Sequence, residues 1–412
     1  MSVRPGNALT AVVAAAALVL TACGGEEPGA GGGNDAEVPA EAFKLGSLLA
    51  ETGAQASAAA PLVTAAKLAI DDINAAGGVF GKDVEYRQQD STSDNDTALS
   101  AAQSLISWGA DAVVGTYGSG MAAAVVEPIT QAGALMVSGS NTSSELTGIS
   151  PLYFRTAPTD ALESAQLADL LVADGKTSAA VIWQNDTWGE AFKVSMEDNL
   201  EQAGVTVATS QPFNVDDTDF TAQVNAVVSA KPDAVVFLSY TVYTGAMVEQ
   251  LIGTHKFASA NVYFSSSTIG DYTGSLSNPA YLKGIQAFQP GAEPDTQAEF
   301  DARAKEANPE LSAFAYAAST YDATIIAALG AIAANSADGQ TIATTMREIS
   351  GGSGDGEKCT SFADCKKLLE DGKSIDYDGL TGGIAFDENN DETETNYIPY
   401  VYQADGTYQL KQ

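Results

Sequence analysis

Short β-rich, largely apolar runs alternate with amphipathic stretches along most of this 412-residue chain. Lys44 to Leu49, Val84 to Gln88, Ala112 to Gly115 and Leu135 to Ser138 read as strands, and residues 58–76, 96–108 and 120–132 between them carry helical periodicity. Such alternation calls for a parallel sheet covered by helices on both faces. From about Asp160 the pattern restarts. Helices are expected at 160–174, 188–203, 219–230 and 243–254, with strands at Ala179 to Trp183, Val205 to Thr209, Ala234 to Leu238 and Val262 to Ser265. The repetition is also literal: Ala110-Asp111-Ala112-Val113-Val114 is echoed 122 residues later by Pro232-Asp233-Ala234-Val235-Val236. Two similar lobes follow. Because ligands sit beyond the carboxyl ends of the strands in open α/β sheets, two facing lobes imply a cleft between them. A later helical block (296–307, 311–335, 340–349) and strands at Gly383 to Phe386 and Tyr397 to Tyr402 are expected to be shared between the lobes.

The N-terminal pattern differs. Arg4 precedes an apolar run from Ala8 to Leu20, and Leu20-Thr21-Ala22-Cys23 is followed at once by Gly24-Gly25 and a polar, Gly-rich stretch. The run is too short for a spanning helix with such flanks and looks like a bacterial lipobox. Residues 1–22 are thus expected to be a removable export signal and residues 23–41 a flexible tether, with diacylglyceryl-modified Cys23 anchoring the protein on the extracytoplasmic face of the cell membrane. The formal charge of −34 argues against nucleic acid, whose phosphates need clustered Lys and Arg, and fits a solvated acidic surface. With Cys23 lipidated, the remaining pair, Cys359 and Cys365, is expected to be a disulfide in an oxidising compartment.

Catalytic chemistry is hard to assemble. The single His255 follows a predicted helix and reads as a surface partner of its C-terminal dipole, and neither an HExxH nor a GxSxG motif occurs. No enzyme, cofactor or metal is expected. Gly118-Ser119-Gly120-Met121-Ala122-Ala123 imitates a dinucleotide fingerprint, but the next strand ends in Ser138-Gly139-Ser140 without a ribose-binding acid. What the turn offers is free amide N–H groups at a helix N-terminus beside hydroxyls, suited to a small carboxylate. Ser140-Asn141-Thr142-Ser143-Ser144-Glu145 adds a second hydroxyl cluster at the same sheet edge. The same residues also read as ordinary helix caps.

Phe43-Lys44-Leu45-Gly46, Ala69-Ile70-Asp71-Asp72-Ile73-Asn74-Ala75-Ala76-Gly77-Gly78, Gly115 to Gly120, Phe154-Arg155-Thr156-Ala157-Pro158 and Phe386-Asp387-Glu388 together resemble the leucine/isoleucine/valine-binding proteins of ABC importers. The wider relatives are the type I periplasmic-binding folds, including the ligand domain of metabotropic glutamate receptors. The resemblance spans residues 42–412. It implies that Ser119, Ser140 and Thr142 hold a ligand's carboxylate and amino group, and that Trp188 and Tyr243 close over it from the second lobe. Asp160 matches a position that contacts the ammonium in some relatives, and reads equally well as a helix cap. The family's ammonium-pairing acid aligns near Ser267-Thr268, neither of which is charged; Asp160 or Asp271 is the expected substitute.

The expected architecture is α/β: two Rossmann-like, doubly wound lobes joined by three hinge crossovers near 158, 287 and 375. Lobe one takes residues 42–158 and 288–374, lobe two 159–287 and 375–412. The resemblance, together with the lipid anchor expected at Cys23, implies a monomeric solute-binding lipoprotein that takes a small carboxylate, such as a branched-chain or other amino acid, and presents its closed form to ABC permease subunits. An extracytoplasmic sensor, or an importer component for an amide, is the alternative.

Overall fold

The computed structural model describes residues 38–272, 274–291, 293–351, 354, 356–395 and 397–411. The expected export signal, Cys23 and the tether as far as residue 37 lie outside them. The first half alternates β1 (Lys44–Leu49), α1 (Ala56–Ala75), β2 (Glu85–Asp90), α2 (Asn95–Trp108), β3 (Ala112–Gly115), α3 (Ser119–Gln131), β4 (Leu135–Ser138) and β5 (Tyr153–Arg155). The second runs through α4 (Asp160–Ala173), β6 (Ser178–Gln184), α5 (Thr187–Gln202), β7 (Thr206–Phe213), α6 (Thr221–Ala230), β8 (Ala234–Leu238), α7 (Thr241–Val248), β9 (Val262–Phe264) and β10 (Gln286–Pro290). Then come α8 (Pro294–Ala307), α9 (Ala317–Ala334), α10 (Gly339–Ile349), β11 (Glu357–Cys359), α11 (Phe362–Glu370), β12 (Ile375–Gly379), β13 (Gly382–Gly383), β14 (Tyr397–Tyr402) and β15 (Tyr408–Leu410).

The lobes share one winding. Parallel strands run β2-β1-β3-β4-β5 in the first and β7-β6-β8-β9-β10 in the second, which β14 and β15 extend antiparallel. The echoed letters therefore mark equivalent third strands, β3 and β8. The central strands of each sheet are buried on both faces, which is why they read as continuous apolar runs, whereas the edge strands β2 and β7 are partly exposed. In β3, Ala112 and Val114 pack with residues of α1, α9 and α10, whereas Val113 points into the opposite core with α2 and α3. In β6, Ala179 and Val181 face α4 and α5, and Ala180 and Ile182 face α6. Side chains stop the helices from fraying: Asp94 caps α2 by accepting from Thr97 N, and Asp338 caps α10 by accepting from Thr341 N, both at 2.9 Å. Helix α9 is long and apolar enough to cross a membrane, but it is buried between the first sheet and its covering helices.

Two of the expected crossover positions shift. Strand β10 pairs with β9 and β14 through Pro290, so the second crossing follows Pro290 rather than residue 287. Residues 375–392, expected in the second lobe, lie on the first. The fully buried carboxylate of Asp322 in α9 accepts from Tyr377 Oη, Leu380 N, Thr381 N and Thr381 Oγ1 at 2.8–2.9 Å, and Phe386 packs on Phe154 with ring centroids 5.1 Å apart. The third crossing thus lies between Glu392 and β14. Of the expected strand from Gly383 to Phe386, only Gly383 pairs in a ladder, together with Gly382 before it. Helix α9 starts at Ala317 rather than 311 because Tyr316 takes a left-handed conformation (φ 60, ψ 5). Cys359 and Cys365 are bonded, with Cα atoms 5.3 Å apart, linking β11 to α11.

Arg155, fully buried at the end of β5, ties the first crossing to the third. Its Nε donates to Asp391 Oδ1 (2.7 Å), Nη1 to the carbonyl of Ser143 (2.7 Å) and Nη2 to Thr147 Oγ1 (2.9 Å). Replacing Arg155 with Met leaves the Asp391 carboxylate buried without its counter-charge, so unfolding in urea is expected to show a loss of roughly 3–5 kcal/mol, whereas the pair Arg155→Met with Asp391→Leu loses clearly less.

Candidate functional site

The carboxyl ends of β1 and β3 in one lobe face those of β6 and β8 in the other, at the switch point of each sheet. Two adjoining cavities lie there. The outer has a volume of about 480 Å³ and the inner only about 10 Å³. Tyr117, Ser119, Trp188 and Tyr240 wall both. Ser140 and Thr142, like Ser267 and Tyr316, line only the inner one.

Within the hydroxyl cluster Ser143 caps the short turn Ser144–Leu146 by accepting from Glu145 N at 3.3 Å, but Ser119, Ser140 and Thr142 are not caps. The N-cap of α3 is Gly118, which has no side chain to offer, so Ser119 is the first helical residue; its Oγ accepts from Ser143 N at 3.3 Å. Amide groups at this helix N-terminus remain directed at the cleft. Ser140 Oγ donates to the carbonyl of Thr116 at 2.9 Å, holding its loop against the turn before α3. Gly139 is required immediately before it: a Cβ there would come within 2.4 Å of Thr320 Cα, where α9 packs and Ser319 Oγ donates to Gly139 O at 2.7 Å.

Asp160 is likewise no cap. Thr159 occupies the N-cap of α4, and the Asp160 N–H donates to Thr142 O at 2.8 Å. Trp188 Nε1 lies 3.1 Å from Thr142 Oγ1 and 3.3 Å from Asp160 Oδ1, so one indole N–H meets a hydroxyl of the first lobe and a carboxylate of the second. Asp160 Oδ2 is buried and has no hydrogen-bond partner among the described residues. Burial, and after it the nearby Glu163, push the Asp160 carboxyl well above the usual range. The Trp188 ring stacks on Tyr240 at 4.8 Å, with 22° between the planes.

Tyr243, expected over the ligand, stands in the outer cavity wall against Phe213, with centroids 5.4 Å apart. Tyr240, three residues earlier, supplies the inner aromatic wall. Thr268 lines neither cavity: it is fully buried, with Oγ1 2.8 Å from Ser265 Oγ, and its neighbour Ser267 reaches the inner cavity. Asp271 is exposed and outside both cavities. Sequence reasoning missed Tyr117, Tyr240, Tyr316 and Glu163. Glu163 is fully buried one turn after Asp160; it accepts from Ser266 N at 2.7 Å, and Ser266 Oγ lies 2.6 Å from both Glu163 Oε2 and Tyr316 Oη, across the lobes. Its i+3 spacing from Asp160 was the one legible signal. Among the described residues, no group of three or more His, Cys, Asp or Glu is placed to hold a metal ion.

A profile of the periplasmic binding protein family matches residues 42–407. The chain belongs to that family. Two curated relatives are the leucine-, isoleucine-, valine-, threonine- and alanine-binding protein of Pseudomonas aeruginosa, 25% identical and covering 83% of this chain and 85% of its own, and the chemotactic signal transduction system substrate-binding protein BasB of Halobacterium salinarum, 24% identical over 82% of each. The branched-chain amino acid transporter substrate binding protein LivJ of Streptococcus pneumoniae, solved with isoleucine, has the same fold (TM-score 0.73, 20% identity, 90% of this chain and 98% of that one). The resemblance read from the sequence and the two-lobed α/β expectation agree with these matches. The relatives are substrate-binding proteins rather than enzymes, as the missing catalytic set implied.

In this periplasmic binding protein, the acids behind the inner cavity carry a pH signature. Burial raises Glu163 from 4.5 to about 7, and Glu392, at the third crossing, to about 8. A carboxyl with a raised folded-state pKa binds its proton more tightly folded than unfolded. Its contribution is complete below the unfolded value and is lost as pH rises through the folded one. For Glu163 that amounts to about 3 kcal/mol across the window from 4.5 to 7. Melting temperature is therefore expected to fall between pH 5 and pH 8 (roughly the window between those values), and Glu163→Gln, which keeps both Ser266 contacts, should flatten that fall; parallel curves for variant and wild type would refute the assignment.

Proposed function

We propose that this protein is the solute-binding component of an ABC importer and takes an α-amino acid between its lobes. The observation that carries the reading is the convergence of Thr142 Oγ1 and Asp160 on a single N–H, with Asp160 Oδ2 buried and unpartnered beside it. An α-amino acid carries carboxylate and ammonium on one carbon. Its carboxylate suits the amides at the start of α3 together with the Ser119 and Thr142 hydroxyls. Its ammonium suits Asp160, in the place that Trp188 Nε1 holds. A buried carboxyl raised by desolvation becomes an effective anion once a cation arrives.

In this reading Asp160 takes over from the absent acid near Ser267-Thr268. Ser140 acts by positioning, since its hydroxyl is committed to Thr116 O. Trp188 and Tyr240 cover the ligand, and Tyr243 borders its outer end. Closure of the hinges gives permease subunits a composite surface to recognise, and a lipid on Cys23 keeps the protein beside them on the extracytoplasmic face. Monomeric action follows from a site complete within one chain. A sensory role is the second reading, favoured by the similarity to a chemotactic substrate-binding protein.

A thermal-shift panel of amino acids should reveal a ligand, because 100-fold excess over the dissociation constant adds about 2.7 kcal/mol of apparent stability. For the strongest binder, Ser119→Ala and Thr142→Ala should each weaken affinity about tenfold in calorimetry. Asp160→Asn should weaken it further while raising the ligand-free melting temperature at pH 7.5 (about neutral, where a buried carboxylate costs most). Unchanged affinity in all three would sink the amino-acid reading.

A further inference from the structure

The charged groups of the outer cavity are all acidic. Its charged lining residues are Asp94, Asp186 and Asp216, and no lysine or arginine is among the described residues around it. Acidic side chains alone would suit any solvated surface, but Gln184 adds an independent sign. It is 2% exposed and lines the chamber, and its Oε1 is buried without a hydrogen-bond partner among the described residues. Its amide orientation is dictated by the donation of Nε2 to Asp186 Oδ2, since the reverse would set two acceptors against each other. The Oε1 of Gln55, on the opposite lobe, is also buried and unpartnered in the same wall. Unsatisfied buried acceptors are costly, and what satisfies them is a ligand group that only donates.

The rest of the chamber fits such a group on an aliphatic stem. Val215 and Val242, 46% and 60% exposed, border it with apolar surface, and the stacked Trp188 and Tyr240 separate it from the inner cavity with an aromatic wall. A cation beside these rings gains from their negative faces, and the acidic walls focus positive ligands into the cleft.

We propose that the outer chamber is a specificity subsite for a cationic, donor-only terminus, an ammonium or guanidinium, and that the ligand is a basic amino acid rather than an aliphatic one. This rests on the amino-acid reading of the inner cavity and extends it. The branched side chains of the ligands named for the relatives would leave both glutamine acceptors unsatisfied.

Calorimetry with two pairs that differ in charge tests the proposal: arginine against its isostere citrulline, and lysine against norleucine, which lacks the terminal ammonium. The charged member of at least one pair is expected to bind about tenfold tighter, and Asp186→Asn combined with Asp216→Asn should collapse that ratio. Asn retains the capping oxygen at 186, so folding is kept. Thr142→Ala should weaken both members of a pair alike and leave the ratio intact. Equal or tighter binding of citrulline and norleucine, or a ratio that survives the double substitution, overturns the proposal. If none of the four binds, agmatine and cadaverine separate the two ideas. Binding of either, lost in the double variant, keeps the cationic chamber and removes the amino-acid reading; failure of both removes the chamber as well.

Discussion

The buried ion pair of Arg155 with Asp391 is the constraint on which the cleft depends. Arg155 ends the last strand of the first sheet, and Asp391 precedes the final passage into the second lobe, so one guanidinium fastens two hinge strands together. The same group donates to the carbonyls of Asn141 and Ser143 and thereby shapes the loop that carries Ser140 and Thr142. A fully desolvated guanidinium survives only when its donors are met, and here they are met by the segments that must be held still around a site. Rigidity at the hinge and geometry at the hydroxyls share this cause.

Across the cleft the logic is reversed. Asp160 and Glu163 are buried with few compensating donors, on the inner side of α4, and both are pushed toward the neutral form. The first lobe therefore presents satisfied polar groups and amides, and the second presents acids that gain from a cation. Trp188 bridges the two with one N–H. Asp160 Oδ2 has no hydrogen-bond partner among the described residues, so burying that carboxyl costs stability that a cation beside it would restore.

Much of the fold was legible because strands buried on both faces leave uninterrupted apolar runs; β1, β3, β4 and β8 match the expected bounds residue for residue. The duplicated letters marked equivalent strands because equivalent strands face equivalent cores. Legibility failed where a segment is held by a few polar contacts instead of by periodicity. Residues 375–392 carry no pattern that assigns them to a lobe, and the assignment comes from four donors converging on Asp322. Strand β5, three residues long, was too short to register at all.

The site divides the same way. Local sequence determined the helix N-terminus at Ser119, the hydroxyl loop through Thr142 and the aromatic at Trp188, since each follows a strand end and strand ends define where a cleft opens. It also determined that the pair Cys359 and Cys365 lies close enough along the chain to bond. Only the tertiary structure sets Tyr240 and Ser267, rather than Tyr243 and Thr268, in the wall of the inner cavity, and Asp160, rather than Asp271, against its Trp188. The first two choices depend on which of two near neighbours turns inward and the third on which of two distant acids is buried, and all are set by packing at distances the chain order does not encode.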